Sequence, residues 1–171
     1  MIKNRTAMRK NTSEFDARTL FGLAEIMRLA FQGDDLSQLT THLLNRIQTD
    51  PQDSAALLDL SVVLQLNAQP ALALELQAEA LQQQQYFRLG SNSASASIRM
   101  LAIMGPGEVM ANTPIEFLVA RSDVALELLY LGEGIPAPAQ IPEHDVAFVA
   151  ACESDQSQSL LQQLDQVMHT G

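Results

Sequence analysis

The sequence predicts two unlike halves: about four helices first, then a small α/β unit on a three-stranded parallel sheet. Three observations carry that expectation. Residues 13–87 are rich in Leu, Ala, Gln and Glu, all good helix formers, and show no strand-like alternation. Inside them a pattern of large and small side chains returns at an offset of 34 residues. Residues 98–171 change character, holding five of the seven Pro and three short runs that are apolar almost without interruption. With 171 residues the chain has room for one domain or two small ones.

Taken in order, residues 1–12 read as a basic, poorly ordered tail and 13–88 as the helical domain. Gly33, Asp34 and Asp35 break the first helix pair, and Pro51 closes the unit. Asn67 to Pro70 break the second pair, with Pro70 placed where a helix can start. The Gln run 82–85 is expected to continue that last helix as a solvated face. Aligning 20–53 with 54–87 sets Leu57, Leu60, Ser61, Leu64, Ala73 and Ala80 opposite Leu23, Ile26, Met27, Ala30, Leu39 and Arg46. Small Ser61, Ala73 and Ala80 let helix axes approach, while Leu57, Leu60 and Leu64 make one apolar face. The second unit resembles a tetratricopeptide repeat; the first is a degenerate one, with Met27 and Arg46 where small residues belong. The alternative is an ordinary pair of helical hairpins, and in either case an open face needs a neighbour.

Residues 89–97, with Gly90 and alternating Ser, read as a linker. The α/β domain, 98–171, is then expected as strand 98–104, helix 113–122, strand 124–131, strand 145–152 and helix 156–169. The runs IRMLAIM, VALELLYL and DVAFVAAC suit strands buried on both faces of a parallel sheet. Thr113, Pro114 and Glu116 spell a capping box at the start of the first helix, and Ser154 or Asp155 can cap the last. One sheet edge is left for something else to cover.

The strings GPGEVMANTPIEFL, SDVALELLYL and PEHDVAFVAACESD resemble a family of bacterial proteins in which a tetratricopeptide region precedes a Rossmann-like pre-ATP-grasp domain and an ATP-grasp ligase domain. The resemblance spans residues 20–169. It implies a helical groove lined by Phe21, Ala24, Arg28 and Phe31 in the first unit and Ala55, Leu58, Val62 and Gln65 in the second. With Arg28 as its one basic residue, that groove does not suit a carboxylate clamp. It suits an apolar segment, either of this chain or of a partner helix. The resemblance also implies a substrate cleft beside the sheet, but nothing in the 171 residues resembles the ATP-grasp itself. The chain is therefore expected either to be the substrate-binding fragment of a longer ligase or to be a reduced relative that kept the binding part.

Ligands of such sheets bind beyond the carboxyl ends of the strands. There the candidates are Gly105, Gly107, Asn112 and Thr113 in one loop and Glu153 and Asp155 in the next. The first loop fails both the dinucleotide fingerprint and the Walker pattern, so a turn needing Gly is the plainer reading of it. Helix capping is likewise the plainer role for the two acids. No catalytic residue is assigned, Cys152 lacks a clear His partner because His144 precedes the same strand at its opposite end, and His42, His144 and His169 are too dispersed for a metal site. No cofactor is expected, though a small nucleotide at the Gly105–Gly107 loop stands as a further alternative.

Charge narrows the partners. Residues 1–18 carry five basic and two acidic groups, and the remainder five and eighteen, so a basic tail leads a strongly acidic body. That body repels nucleic acid. No apolar run is long enough to span a membrane, and one Cys without an export signal fits the cytoplasm. A protein partner, or a C-terminal ATP-grasp domain, is the expected neighbour.

Overall fold

A computed structural model describes residues 19–33, 35–89, 96–138, 140–152, 154 and 157–170. The basic tail, most of the proposed linker and both Glu153 and Asp155 lie outside the described residues. Helices α1 (Leu23–Phe31), α2 (Leu36–Thr49), α3 (Ser54–Leu66) and α4 (Pro70–Gln83) are followed by β1 (Tyr86–Arg88), β2 (Ile98–Met104), α5 (Ile115–Val119), β3 (Val124–Tyr130), β4 (Val146–Val149) and α6 (Gln158–Thr170). The chain is thus a mixed α/β protein.

The helix breaks fall where the turn chemistry put them. Asp35 caps α2 by accepting the Ser37 amide, and Pro70 opens α4. The α1, α2 and α3 helices meet in a cluster of Ile26, Leu39, Leu43, Ala56, Leu60 and Val63. Ser61, Ala73 and Ala80 are buried. The Arg46 guanidinium forks onto Asp53 through Nε (2.8 Å) and Nη2 (2.9 Å). Asp53 in turn caps α3 by accepting the Ala56 amide at 3.0 Å.

The sheet differs from expectation. It has four strands in the order β1-β3-β2-β4, with β2 parallel to both β3 and β4 but β1 antiparallel to β3. The α4 helix stops at Gln83, and Gln84 is already extended (φ −151°, ψ 137°), so the Gln run does not remain helical. What takes the chain out of the helix is Phe87, which is buried edge-to-face against Tyr130 at 6.1 Å. Three residues are too few to display an alternation, and so β1 is invisible as a pattern.

The α5 helix is likewise shorter than its sequence suggests. Pro114 is its cap residue and makes no side-chain cap bond, while Glu116 turns away from the helix start and accepts the Ala24 amide of α1. Arg121, at φ +63°, follows the helix end.

Alternate residues of β2 and β3 face opposite layers. Ala102, Met104, Leu126, Leu128 and Tyr130 join Ala55, Leu57, Leu58, Ala80, Leu81 and Ile115 in one core that runs through both halves of the chain. Leu101, Ile103 and Leu129 face the other way and pack with Leu160 of α6. The helical half is therefore one covering layer of the sheet, and α6 is the other.

Replacing Asp53 by Ala removes a helix cap and takes the carboxylate from Arg46. The expected loss is about 3 kcal/mol, read as a lower urea midpoint at unchanged slope. A loss below about 1 kcal/mol would show that this pair does not hold the start of α3.

Candidate functional site

The start of α1 is held by side chains from far along the chain. Leu20 bridges Leu89 beside β1, its amide donating to the Arg88 carbonyl. The Phe21 and Gly22 amides then donate to Asp59 Oδ2 (2.9 Å) and Oδ1 (3.0 Å), and the Ala24 amide donates to Glu116 Oε2 (2.9 Å). The opening turn of a helix presents unpaired N–H groups and a partial positive charge, which two carboxylates satisfy. Gly22 is required here. At φ +81° a Cβ would lie 2.6 Å from Glu116 Oε2 and 2.5 Å from a Leu89 methyl.

Both acids are deeply buried, Asp59 with 1% and Glu116 with 8% of its surface exposed. Burial, which disfavours the charged form, pushes each up to about 7 despite the amides that favour ionisation. They raise each other's neighbour too: Tyr130 titrates higher first because it is buried and then because Glu116 and Asp59 are near. The three residues share a cavity of about 50 Å³ with Asn112, Thr113 and Gln77, room for a few water molecules. Chemically the group can exchange protons near neutral pH. Its observed hydrogen bonds serve to fasten α1 to α3 and α5.

Beside the cavity, the loop after β2 is closed by neutral amides. Gly105 donates to Asn112 Oδ1 and accepts from its Nδ2, both at 2.8 Å. Gly107 exchanges the same pair of bonds with Gln77 of α4 (2.7 and 3.0 Å), and Val109 donates to Gln65 of α3 (2.7 Å). Thr113 donates to the Ala150 carbonyl, and Cys152 donates to the Ala111 carbonyl. The crevice between the carboxyl ends of β2 and β4 is thereby sealed by main-chain pairing of 111–113 with 150–152. Gly105, Gly107, Asn112 and Thr113 are brought together as a turn in which the Gly105, Gly107 and Thr113 amides already have acceptors. Gly107, at φ +143° with Ala111 pressing on any Cβ, needs to be glycine for backbone reasons.

Of the groove candidates, Leu58, Val62 and Gln65 of α3 line the same small cavity, and Leu58 is also buried in the core against the sheet. Phe21 sits edge-on to His42 at 6.0 Å, Arg28 pairs with Glu25, and Phe31 stands in solvent. Among the described residues no group of three or more His, Cys, Asp or Glu is placed to hold a metal ion, and no helix is long and apolar enough to cross a membrane.

Asp59 and Gln77 were not singled out by sequence reasoning. The available signal was Asp59 as the one charge in the mostly apolar stretch SAALLDLSVVLQL. Among known proteins, no family model, no curated protein and no solved structure matches this chain.

Carboxyls ionise at about 4 in an unfolded chain. Raised to about 7 in the fold, Asp59 and Glu116 retain protons that the unfolded chain releases. Their contribution to stability is complete below pH 4 and is lost as pH rises through 7. Asp59→Asn, which keeps one acceptor for the two amides of Phe21 and Gly22, should be less stable than the parent near pH 5, and the parent's extra fall in stability between pH 5 and pH 8, about 3 kcal/mol in denaturant titrations, should be absent from it. Parallel stability curves for the two proteins across that range would show that Asp59 keeps an ordinary carboxyl pKa.

Proposed function

We propose that this chain is a non-catalytic protein-interaction module, a tetratricopeptide-type helical region fused to a Rossmann-like unit. The observation that carries the reading is the destination of α3. The face that would line a peptide groove carries Leu58 into the core beneath the sheet, so the hairpins brace the sheet of their own chain. The partner-facing surface is then the outer edge of the sheet at β4, whose residues are all exposed.

A second reading, the substrate-side portion of an ATP-grasp carboxylate–amine ligase, is favoured by a hollow of about 280 Å³ beyond the carboxyl ends of β2 and β3. Pro106, Gly107, Glu133 and Gly134 bound it on the sheet side and Leu74 and Gln77 on the α4 side. An in-frame ATP-grasp sequence beyond codon 171 would favour this reading over the first.

Two experiments address the module. Leu58→Asp buries a charge between the layers and should unfold or aggregate the chain, costing more than about 4 kcal/mol by thermal denaturation. An unchanged melting temperature would return α3 to the role of an open groove. Calorimetric titration with ATP, ADP and NAD at millimolar concentration should give no binding heat, whereas a saturable isotherm would overturn the non-catalytic reading.

A further inference from the structure

The β4 strand has the composition of an interior strand and the position of an edge. Val146, Ala147, Phe148 and Val149 are apolar without alternation, as in strands covered on both faces. Yet all four are exposed, with Val146, Phe148 and Val149 keeping 44, 37 and 43% of their surface. One side of β4 pairs with β2; on the other there is no strand among the described residues. An edge that faces water permanently is guarded by charge, Pro or a bulge, and none of the four residues supplies a charge or a Pro. The opposite edge is guarded: β1 has only three residues, ends on Arg88, and is followed by Leu89 bridged to Leu20.

The register fixes what this edge offers. The Ala150 amide points inward, donating to the Ile103 carbonyl at 2.8 Å. Backbone groups alternate sides along a strand, so the amides and carbonyls of Ala147 and Val149 point outward, away from β2. Side chains alternate by face in the same way. Val146 and Phe148 lie beside Met100 and Ala102 on the helical-half face, and Ala147 and Val149 lie beside Leu101 and Ile103 on the α6 face. An occupant therefore meets free main-chain donors and acceptors with apolar side chains above and below them. An extended apolar run satisfies both; a helix, with its backbone paired internally, leaves the outward amides unmet.

Charge sets the rest. Residues 98–171 carry ten acidic groups and two basic ones, Arg99 and Arg121. At the entry to β4, Glu143 and Asp145 are exposed. Arg99 pairs with Glu143 at 3.6 Å, and Asp145 has only the neutral main-chain amide of Arg99 as its partner. A second copy of the chain, at net −10 and bringing the same acids, is repelled, whereas a segment carrying Lys or Arg is drawn in.

We infer that the free edge of β4 takes up, as a fifth strand, an extended segment of a partner protein: a short apolar run with Lys or Arg at the end that lies beside Glu143 and Asp145. This rests on β4 as the partner-facing edge and adds the conformation and the charge of what it faces. Main-chain pairing supplies the adhesion, and the acids select the partner.

The capped peptides KTVYVIVTK and ETVYVIVTE, and a form of the first with every amide of its apolar run methylated, test this on the 171-residue chain. The lysine peptide should bind saturably in calorimetry, about tenfold or more tighter than the glutamate peptide, with the margin shrinking in high salt. Once bound, it should slow hydrogen exchange of the Ala147 and Val149 amides about tenfold or more. Methylation should abolish both effects. Phe148→Lys should leave the chain folded and weaken the lysine peptide, and Glu143→Lys should narrow or reverse the preference between the two peptides. No binding of the lysine peptide at millimolar concentration, equal affinity for the two, undiminished binding of the methylated form, or a concentration-dependent dimer that protects Ala147 and Val149 without peptide would each overturn the inference. Equal affinity with both amides protected removes the basic partner and keeps β4 as the partner-facing edge. A nucleotide isotherm beside intact peptide binding removes the non-catalytic reading and leaves the fifth strand.

Discussion

The described start of α1 depends on one arrangement, the capture of its first turn by Asp59 and Glu116. Burying a carboxylate costs several kcal/mol unless something compensates it. Here the compensation is the row of amides from Phe21 to Ala24, with the positive end of the helix behind them. Each partner is expensive alone: amides without acceptors on one side, acids without donors on the other. Joined, they weld α1 to α3 and to α5, so a segment of the first half is secured by a residue of the second.

The layer contact next to it follows a different chemistry. Gln65, Gln77 and Asn112 satisfy the loop after β2 with side-chain amides, each offering a donor and an acceptor on one planar group. These contacts carry no charge and do not respond to pH. The boundary between the helical layer and the α/β layer therefore has a titratable part around α1 and a fixed part around Gly105–Val109. The fixed part holds α3 and α4 in place over the sheet whatever the state of the acids.

Much of this fold was legible locally. The IRMLAIM run, bounded by Ser97 and Gly105, became β2 residue for residue, because seven apolar residues between breakers leave few alternatives. The α1–α2 and α3–α4 turns were read from Gly33 to Asp35 and from Asn67 to Pro70 for the same reason. What escaped reading depends on partners distant in sequence. The short β1 strand exists because Phe87 finds Tyr130, and Gln84 gives up the helix to let it. Glu116 has the spacing of a capping box and is drawn instead to Ala24, 92 residues away. Gly105, Gly107, Asn112 and Thr113 did assemble at the predicted place, but nothing local reveals that Gln77 and Ala150 would already occupy their hydrogen bonds.

The clamp on α1 also sets an order of events during synthesis. Its two anchors are separated from their amides by 37 or 38 and by 92 residues. At about 5–20 residues per second, Glu116 is polymerised roughly 5–20 s after Ala24. Of the described helices α1 is made first, yet it is not clamped until Glu116 has been made, and until then its apolar face, with Ile26 and Leu29, depends on α2 and α3 for shelter. The α1 helix behaves as a latch that closes only once α5 has been made, which places the exposure to misassembly in α1.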